Sequence, residues 1–236
     1  MGFFDFLKRR RKTSSSNEDT SPGDKRHPQL RDAWLAFENA NPDRALQLAE
    51  PYLTDIDRRL STNAKKLVGL VHFRHNNYEE AFQLFRDVAA TQNDAESWFN
   101  VVTAATLNGE IQSGREAFDN AVSARTREGA SDGISIPFMR QYYACALRDQ
   151  RQYHLAFQQI TELRNIYEQL KITDDTFVYL RGVPFLSHTM DVAIDVFLGL
   201  GDSFDANGWI DSFASHVDDD GRAYLKAIKH RLNDGD

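Results

Sequence analysis

The chain has 236 residues, of which 41% are apolar and 27% are charged, and this composition is typical of a globular protein with enough apolar residues for a core. It contains no run of 18 or more apolar residues, so no segment is expected to cross a membrane as a helix. Its single cysteine, Cys145, excludes an internal disulfide and favours a reducing compartment such as the cytoplasm.

The net charge of −7 is unevenly distributed along the chain. Residues 1–27 hold seven Lys/Arg against four Asp/Glu, whereas the remainder holds 21 against 31. Nucleic-acid binding requires clustered cations that neutralise phosphates. We therefore expect the acidic body of the protein not to bind nucleic acid.

The first twelve residues, MGFFDFLKRRRK, place large apolar side chains directly before five consecutive cations. The polar residues that follow predict a disordered tail over residues 1–27. One interpretation is contact with an anionic membrane surface, to which each cation would contribute about 1 kcal/mol. The alternatives are a nuclear-import or nucleic-acid role for the basic run, and a solvated terminus. The predicted membrane-contact residues are Phe3, Phe4, Phe6, Leu7, Lys8, Arg9, Arg10, Arg11 and Lys12.

From residue 28 onward, paired amphipathic segments recur along the chain. In YEEAFQLFRDVA, the residues Tyr78, Ala81, Phe85 and Val88 lie at i, i+3, i+7 and i+10, which is one face of a helix. A small residue in the middle of such a face predicts a site where two helices touch. Gly69, twelve residues before Ala81, is its expected counterpart in the preceding helix.

The small residue of the second helix recurs at similar spacing in the neighbouring pairs. Ala45 lies 36 residues before Ala81, Gly114 lies 33 residues after it, and Ala156 lies 42 residues after Gly114. This pattern resembles the tetratricopeptide repeat (TPR), a helix–turn–helix unit of 34 residues. The resemblance implies an all-α fold, in which repeats over residues 28–170 build a right-handed α-α superhelix behind the disordered tail.

Residues 171–236 are expected to continue the array in a degenerate form. The segment around Trp209 and Phe213 predicts the second helix of a further pair. The segment DDDGRAYLKAIKHRL predicts a final helix whose cations cover the last apolar face, as the ends of repeat arrays require.

The resemblance to TPR proteins also implies a binding site, because the first helices of this family line a concave channel that receives a peptide. Lys66 and Asn100 fall on two positions where co-chaperone members grip a terminal carboxylate. Leu70, Phe138 and Tyr142 stand where the carboxylate-binding members carry Asn or cations, so a different peptide or protein surface is expected as the partner. The predicted protein-binding residues are Lys66, Phe73, Arg74, Phe99 and Asn100. The further channel positions are Asn63, Leu70, Glu96, Thr103, Leu107, Gln141, Cys145 and Arg148.

Short motifs that resemble chemical sites have simpler structural interpretations. HFRH (His72–His75) lacks a third metal ligand nearby, and DANG and VDDDG are expected to be helix-capping turns. We therefore predict no enzyme activity, no cofactor and no metal. The expected function is that of a cytoplasmic protein-interaction module, at the inner face of a membrane if the tail binds there. The alternative is an inhibitor or toxin-neutralising protein that occludes a partner enzyme.

Overall fold

The computed structural model describes residues 27–129 and 133–234, and within these ranges it contains helices and no strand. The chain divides into two compact units, Met1–Val71 and His72–Asp236. No helix in the described ranges is long and apolar enough to cross a membrane. The predicted disorder of the tail and the membrane-contact residues 3–12 lie outside the described residues.

The described part of the first unit contains two short helices and most of a third. Asn41 begins α2 because its side-chain oxygen accepts a hydrogen bond from the Arg44 N–H at 3.2 Å. Helices α1 and α2 pack together, and the predicted interior residues Ala33, Ala45 and Ala49 are all buried. The helices are α1 (Arg31–Glu38), α2 (Pro42–Ala49) and α3 (Arg58–Arg74), which ends in the second unit, with 3₁₀ turns at Pro28–Leu30 and Glu50–Tyr52.

The second unit continues with helices that pack in pairs along the chain. Helix α4 packs against α5, α5 against α6, α7 against α8, and α11 against α12. Helix α10 packs against α7, α8 and α12. The helices are α4 (Tyr78–Gln92), α5 (Ala95–Leu107), α6 (Ile111–Glu128), α7 (Ile136–Asp149), α8 (Tyr153–Leu170), α9 (Asp175–Leu180), α10 (Leu186–Leu200), α11 (Ala206–Ala214) and α12 (Asp219–Asp234).

The predicted small residues of the second unit are buried inside helices, as expected from the repeat pattern. Ala81, Gly114 and Ala156 are all buried. At Gly114, on α6, an added Cβ would overlap the hydroxyl of Thr106 on α5 and lie 3.4 Å from the Thr106 backbone nitrogen. The absence of a side chain at this position therefore allows α5 and α6 to approach closely.

Both predicted capping turns begin helices. In DANG, the Asp205 side chain accepts a hydrogen bond from the Gly208 N–H at 2.8 Å and caps α11. In VDDDG, Asp218 accepts from the Gly221 N–H at 3.1 Å at the start of α12. Asp218 also accepts hydrogen bonds from the Thr173 N–H at 3.0 Å and the Thr173 hydroxyl at 2.6 Å. This aspartate therefore also anchors the segment that follows α8.

The last helix has the expected two-sided character, whereas α9 was not predicted. On α12, Leu225 and Ile228 are buried, while Arg222, Lys226 and Arg231 are exposed. The six-residue helix α9 is an addition to the helix-pair pattern, and it is too short to show a periodic apolar face. Its N-terminus is capped by Asp174, which accepts from the Phe177 N–H at 2.8 Å.

Candidate functional site

Three of the predicted protein-binding residues are buried in the second unit. Phe73 is 7% exposed, Phe99 is 1% exposed and Asn100 is 3% exposed. The expectation that these residues present an open binding surface is therefore wrong. The Phe73 ring instead packs 5.3 Å from the Tyr78 ring, and the Phe99 ring lies 6.2 Å from the Tyr142 ring, measured between ring centroids.

The physical reason lies in the composition of α5. Ten of its residues, including Val101, Val102 and Thr103, are buried on all sides of the helix. It packs against α4, α6 and α7 at once. A helix that is apolar all round belongs in the interior, so α5 does not line an open channel.

The two predicted cationic contacts, Lys66 and Arg74, are both half-buried. Lys66 lies in the first unit and Arg74 at the start of the second. Burial lowers the pKa of Arg74, although an arginine stays charged at neutral pH. Contact of these two residues with a partner stays a prediction.

Gln141, a predicted channel residue on α7, belongs to a buried polar network. Its side-chain nitrogen donates to the His188 carbonyl oxygen at 2.9 Å, and its oxygen accepts from the Thr189 hydroxyl at 2.8 Å. The Tyr167 hydroxyl donates to the Pro184 carbonyl oxygen at 2.6 Å and lies 3.0 Å from the Thr189 hydroxyl. These bonds join α7, α8 and the start of α10, so Gln141 fixes the position of α10 from the inside.

The other two predicted channel residues on α7 lie further along the same helix. Cys145 is half-buried, and burial raises the pKa of its thiol to about 11. Arg148 forms ion pairs with Asp149 at 2.8 Å and with Asp195 on α10 at 3.0 Å. Burial lowers the pKa of Arg148. Its hydrogen bond to Asp149 and the neighbouring negative charges raise the pKa by more, so the net shift is upward. Arg148 therefore connects the exposed sides of α7 and α10.

The exposed side of α10 carries two aspartates and an exposed leucine. His188, Asp191, Asp195 and Leu198 lie at i, i+3, i+7 and i+10, which places them on one side of the helix. The opposite side is buried and apolar, with Met190, Ala193, Val196 and Phe197 among its residues. We call His188, Asp191, Asp195 and Leu198, together with Tyr179 and Phe185 at the N-terminal end, the α10 face.

The N-terminal end of the α10 face is aromatic. Tyr179 on α9 is 50% exposed, and its ring lies 5.9 Å from the Phe185 ring and 6.3 Å from the Phe138 ring. The Phe185 ring in turn lies 5.2 Å from the His188 ring. The short helix α9 is held there by the Ser135 hydroxyl, which donates to the Gly182 carbonyl oxygen. This end therefore presents an aromatic cluster with a partly solvent-exposed edge.

The C-terminal end of the α10 face is an open depression with an exposed leucine. Leu198 is 67% exposed and lines a cavity of about 440 Å³ together with Arg148, Tyr153, Asp195 and Gly199. A Cβ on Gly199 would overlap the Tyr153 ring, so the glycine lets this ring pack against the backbone of α10. The depression thus combines an apolar side chain with an ion pair.

The stretch of sequence that contains α10 is strongly acidic. Residues 182–221 contain eight aspartates and no Lys, Arg or Glu. This run of aspartates is a sequence signal that favours a solvent-exposed side on α10 over one on α5. The apolar ends of the face were not visible in this way, because Leu198 and Tyr179 look like core residues in a sequence.

A second depression, of about 350 Å³, lies between α6, α7 and α8. Two of its polar side chains bond to each other. Arg140 donates to the Gln159 side-chain oxygen at 2.7 Å and lies over the Phe118 ring, 5.4 Å from its centroid. The Phe118 ring stacks on Tyr143 at 4.9 Å. In the described ranges, the structure contains no group of three or more His, Cys, Asp or Glu side chains placed to hold a metal ion.

The arrangement of helices is similar to that of a solved TPR-like protein. The structure aligns with the crystal structure of a Podospora anserina protein that is named as a kinesin light chain with nearly identical TPR-like repeats. The TM-score is 0.53 at 15% identity, and the alignment covers 87% of this chain and 94% of that chain. No protein-family model and no curated protein matches the sequence. The likeness shows the fold alone, and it confirms the predicted all-α, TPR-like repeat fold.

Proposed function

We propose that this protein is an interaction scaffold that binds a segment of another protein on the α10 face. Helical repeats of this kind present extended surfaces to protein partners, which agrees with the TPR-like fold. The observation that carries the proposal is the exposure of large apolar side chains, Tyr179 and Leu198, at both ends of one helix face. Exposed apolar groups bordered by polar ones are typical of protein-interaction sites.

The construction of the face supports this proposal. Binding energy at interfaces is concentrated in a few well-supported side chains, with aromatic residues and arginine over-represented. Tyr179 is supported by Phe138 and Phe185, and Arg148 is held by two carboxylates. These side chains are therefore already oriented before a partner binds, which reduces the entropy lost on association.

Selection of peptides on the full-length protein tests the proposal directly. A library of random twelve-residue peptides displayed on phage is selected against the wild type, and the enriched peptides are then titrated against variants. We expect the double variant Tyr179→Ser/Leu198→Ser to bind them at least about tenfold more weakly, because it loses one exposed apolar side chain at each end of the face. Leu35→Ser, at a leucine of the first unit that is 44% exposed, is the matched control and should bind normally.

Two outcomes would contradict the proposal. If the double variant binds the selected peptides as tightly as the wild type, the binding surface lies elsewhere. If selection enriches no peptide, the α10 face is not a peptide-binding surface. Circular dichroism of each variant ensures that loss of binding is not loss of folding.

We further propose that the N-terminal tail holds this scaffold at an anionic membrane surface. The supporting observation is the order of residues 1–12, in which Phe3, Phe4, Phe6 and Leu7 directly precede the cations of residues 8–12. Apolar insertion and headgroup attraction together suffice for peripheral anchoring, whereas either contribution alone is weak.

A further inference from the structure

We infer that the segment bound on the α10 face is basic, with Lys or Arg between two large apolar side chains. This inference rests on the proposed function and adds the chemistry of the partner to it. Three properties of the face lead to it: the charge at its centre, the apolar groups at its ends, and the distance between those ends.

The centre of the face carries uncompensated negative charge. Asp191 and Asp195 are the two charged residues of α10, and both are exposed. Arg148 is the cation that pairs with Asp195, but it also pairs with Asp149, so one guanidinium faces two carboxylates. Asp191 forms no ion pair with any residue that the structure describes. The centre therefore attracts a cation.

Asp191 acts electrostatically on the neighbouring helix α12. Burial raises the pKa of Tyr224 on α12, the charge of Asp191 raises it further, and Arg231 lowers it by less than Asp191 raises it. Another cation of α12, Lys229, is already engaged, because it bonds to Asp211 at 2.5 Å.

The stretch of α10 between the aromatic cluster and Leu198 has a definite length. His188, which contacts the aromatic cluster through Phe185, and Leu198 are ten residues apart on α10, or about 15 Å along the helix axis. An extended chain advances by about 3.3 Å per residue, so four or five residues cover this distance. A partner segment would therefore place one apolar side chain at each end and its cations over Asp191 and Asp195.

The same charges disfavour other occupants. Nucleic acid and anionic membrane would both be repelled, since they need clustered cations on the protein. An acidic peptide would meet like charges, which are costly across an interface. The charge of the face therefore selects a basic peptide segment.

The test uses two labelled six-residue peptides that differ only in charge. Each has tryptophan at the first position and leucine at the last, with either two lysines or two glutamates among the glycine and serine residues between them. Fluorescence anisotropy with the full-length protein measures binding. We expect the lysine peptide to bind at least about tenfold more tightly than the glutamate peptide. This preference should shrink as salt is raised, because exposed charges are screened.

Neutral substitutions then identify the carboxylates that are responsible. Asp191→Asn and Asp195→Asn should each weaken binding of the lysine peptide about two- to fivefold, as expected for exposed charge pairs. Asp119→Asn is the matched control, because Asp119 is also an exposed helical aspartate of the second unit but lies on α6. This control should leave binding unchanged.

The outcomes separate this inference from the proposed function. If both peptides bind equally and both lose affinity in Tyr179→Ser/Leu198→Ser, the face binds peptides and the inferred basic character is wrong. The inference is also wrong if the glutamate peptide binds more tightly, or if the lysine peptide does not bind at about 1 mM. If neither the apolar nor the aspartate substitutions change binding of a peptide, the proposed location itself is wrong.

Discussion

The close contact between α5 and α6 can be tested by adding a methyl group at Gly114. A Cβ there would overlap the hydroxyl of Thr106 and lie 3.4 Å from both the Cβ and the backbone nitrogen of Thr106. The Thr106 side chain is fully buried, and its hydroxyl makes no hydrogen bond within the described residues. Removing that hydroxyl should therefore create the space that an alanine at position 114 needs.

The expected free energies come from two opposing contributions. Alanine is favoured over glycine inside a helix by about 1 kcal/mol. Overpacking of a close contact costs about 1–3 kcal/mol. Gly114→Ala alone should thus change the free energy of unfolding by between about zero and 2 kcal/mol, in the destabilising direction. In a Thr106→Ala background the overlap is absent, so Gly114→Ala should stabilise by about 1 kcal/mol.

A double-mutant cycle measures the difference between these two effects. Urea unfolding of the full-length protein, followed by far-ultraviolet circular dichroism, gives the free energy of unfolding for each of the four proteins. We expect a coupling energy of about 1–3 kcal/mol between the two positions. The control pair is Thr106→Ala with Ser123→Ala, at an exposed residue of α6 that is nine positions from Gly114, and it should be additive. Coupling below about 0.5 kcal/mol for the first pair would refute the close contact.

Three further predictions concern the buried network, the cysteine and the tail. Tyr167→Phe should lower the free energy of unfolding by about 1–3 kcal/mol, because the carbonyl of Pro184 and the hydroxyl of Thr189 lose a buried hydrogen-bond partner. An unchanged midpoint of urea unfolding would contradict this. Burial raises the pKa of Cys145 to about 11, so iodoacetamide should alkylate it at pH 8 at least about 100-fold more slowly than an unfolded cysteine. The alkylation rate should rise with pH up to about 11. Alkylation at the rate of an unfolded cysteine would disprove this prediction. Full-length protein should co-sediment with anionic vesicles at low salt, and deletion of residues 1–12 should abolish this without changing the melting temperature; equal sedimentation of the truncated protein would exclude the anchor.

Much of the fold could be predicted because close packing of paired helices restricts which residues fit. Gly114 had to be small for α6 to approach α5, and Ala81 and Ala156 are buried at the equivalent points of their own helices. Capping turns were equally predictable, since the Asp205 side chain satisfies a backbone N–H that the first turn of a helix cannot bond internally. These features depend on local geometry, which one sequence is enough to reveal.

The binding surface was harder to predict because it depends on how many neighbours cover each helix. The repeat pattern assigned Phe99 and Asn100 to an exposed side of α5, whereas three helices enclose α5 and leave these residues buried. The sequence did indicate this burial, because WFNVVTAATL has apolar residues on every side and such a helix is expected in the interior. The position of a residue within a repeat predicts which side of its helix it lies on. The polarity of the whole helix indicates whether that side is exposed to water.

Helix α10 shows how the two kinds of information complement each other. Its apolar residues alone suggest a core helix, and Leu198 is indistinguishable by type from the buried Leu186. Asp191 and Asp195 resolve this ambiguity, because charged carboxylates are strongly disfavoured in an apolar interior. The side of the helix that carries them is therefore expected to face water or a partner. Leu198 shares that side and is therefore exposed as well. Arg148 supplies one guanidinium to this site and shares it between Asp149 and Asp195, so the basic segment that we propose would bring the further positive charge that Asp191 attracts.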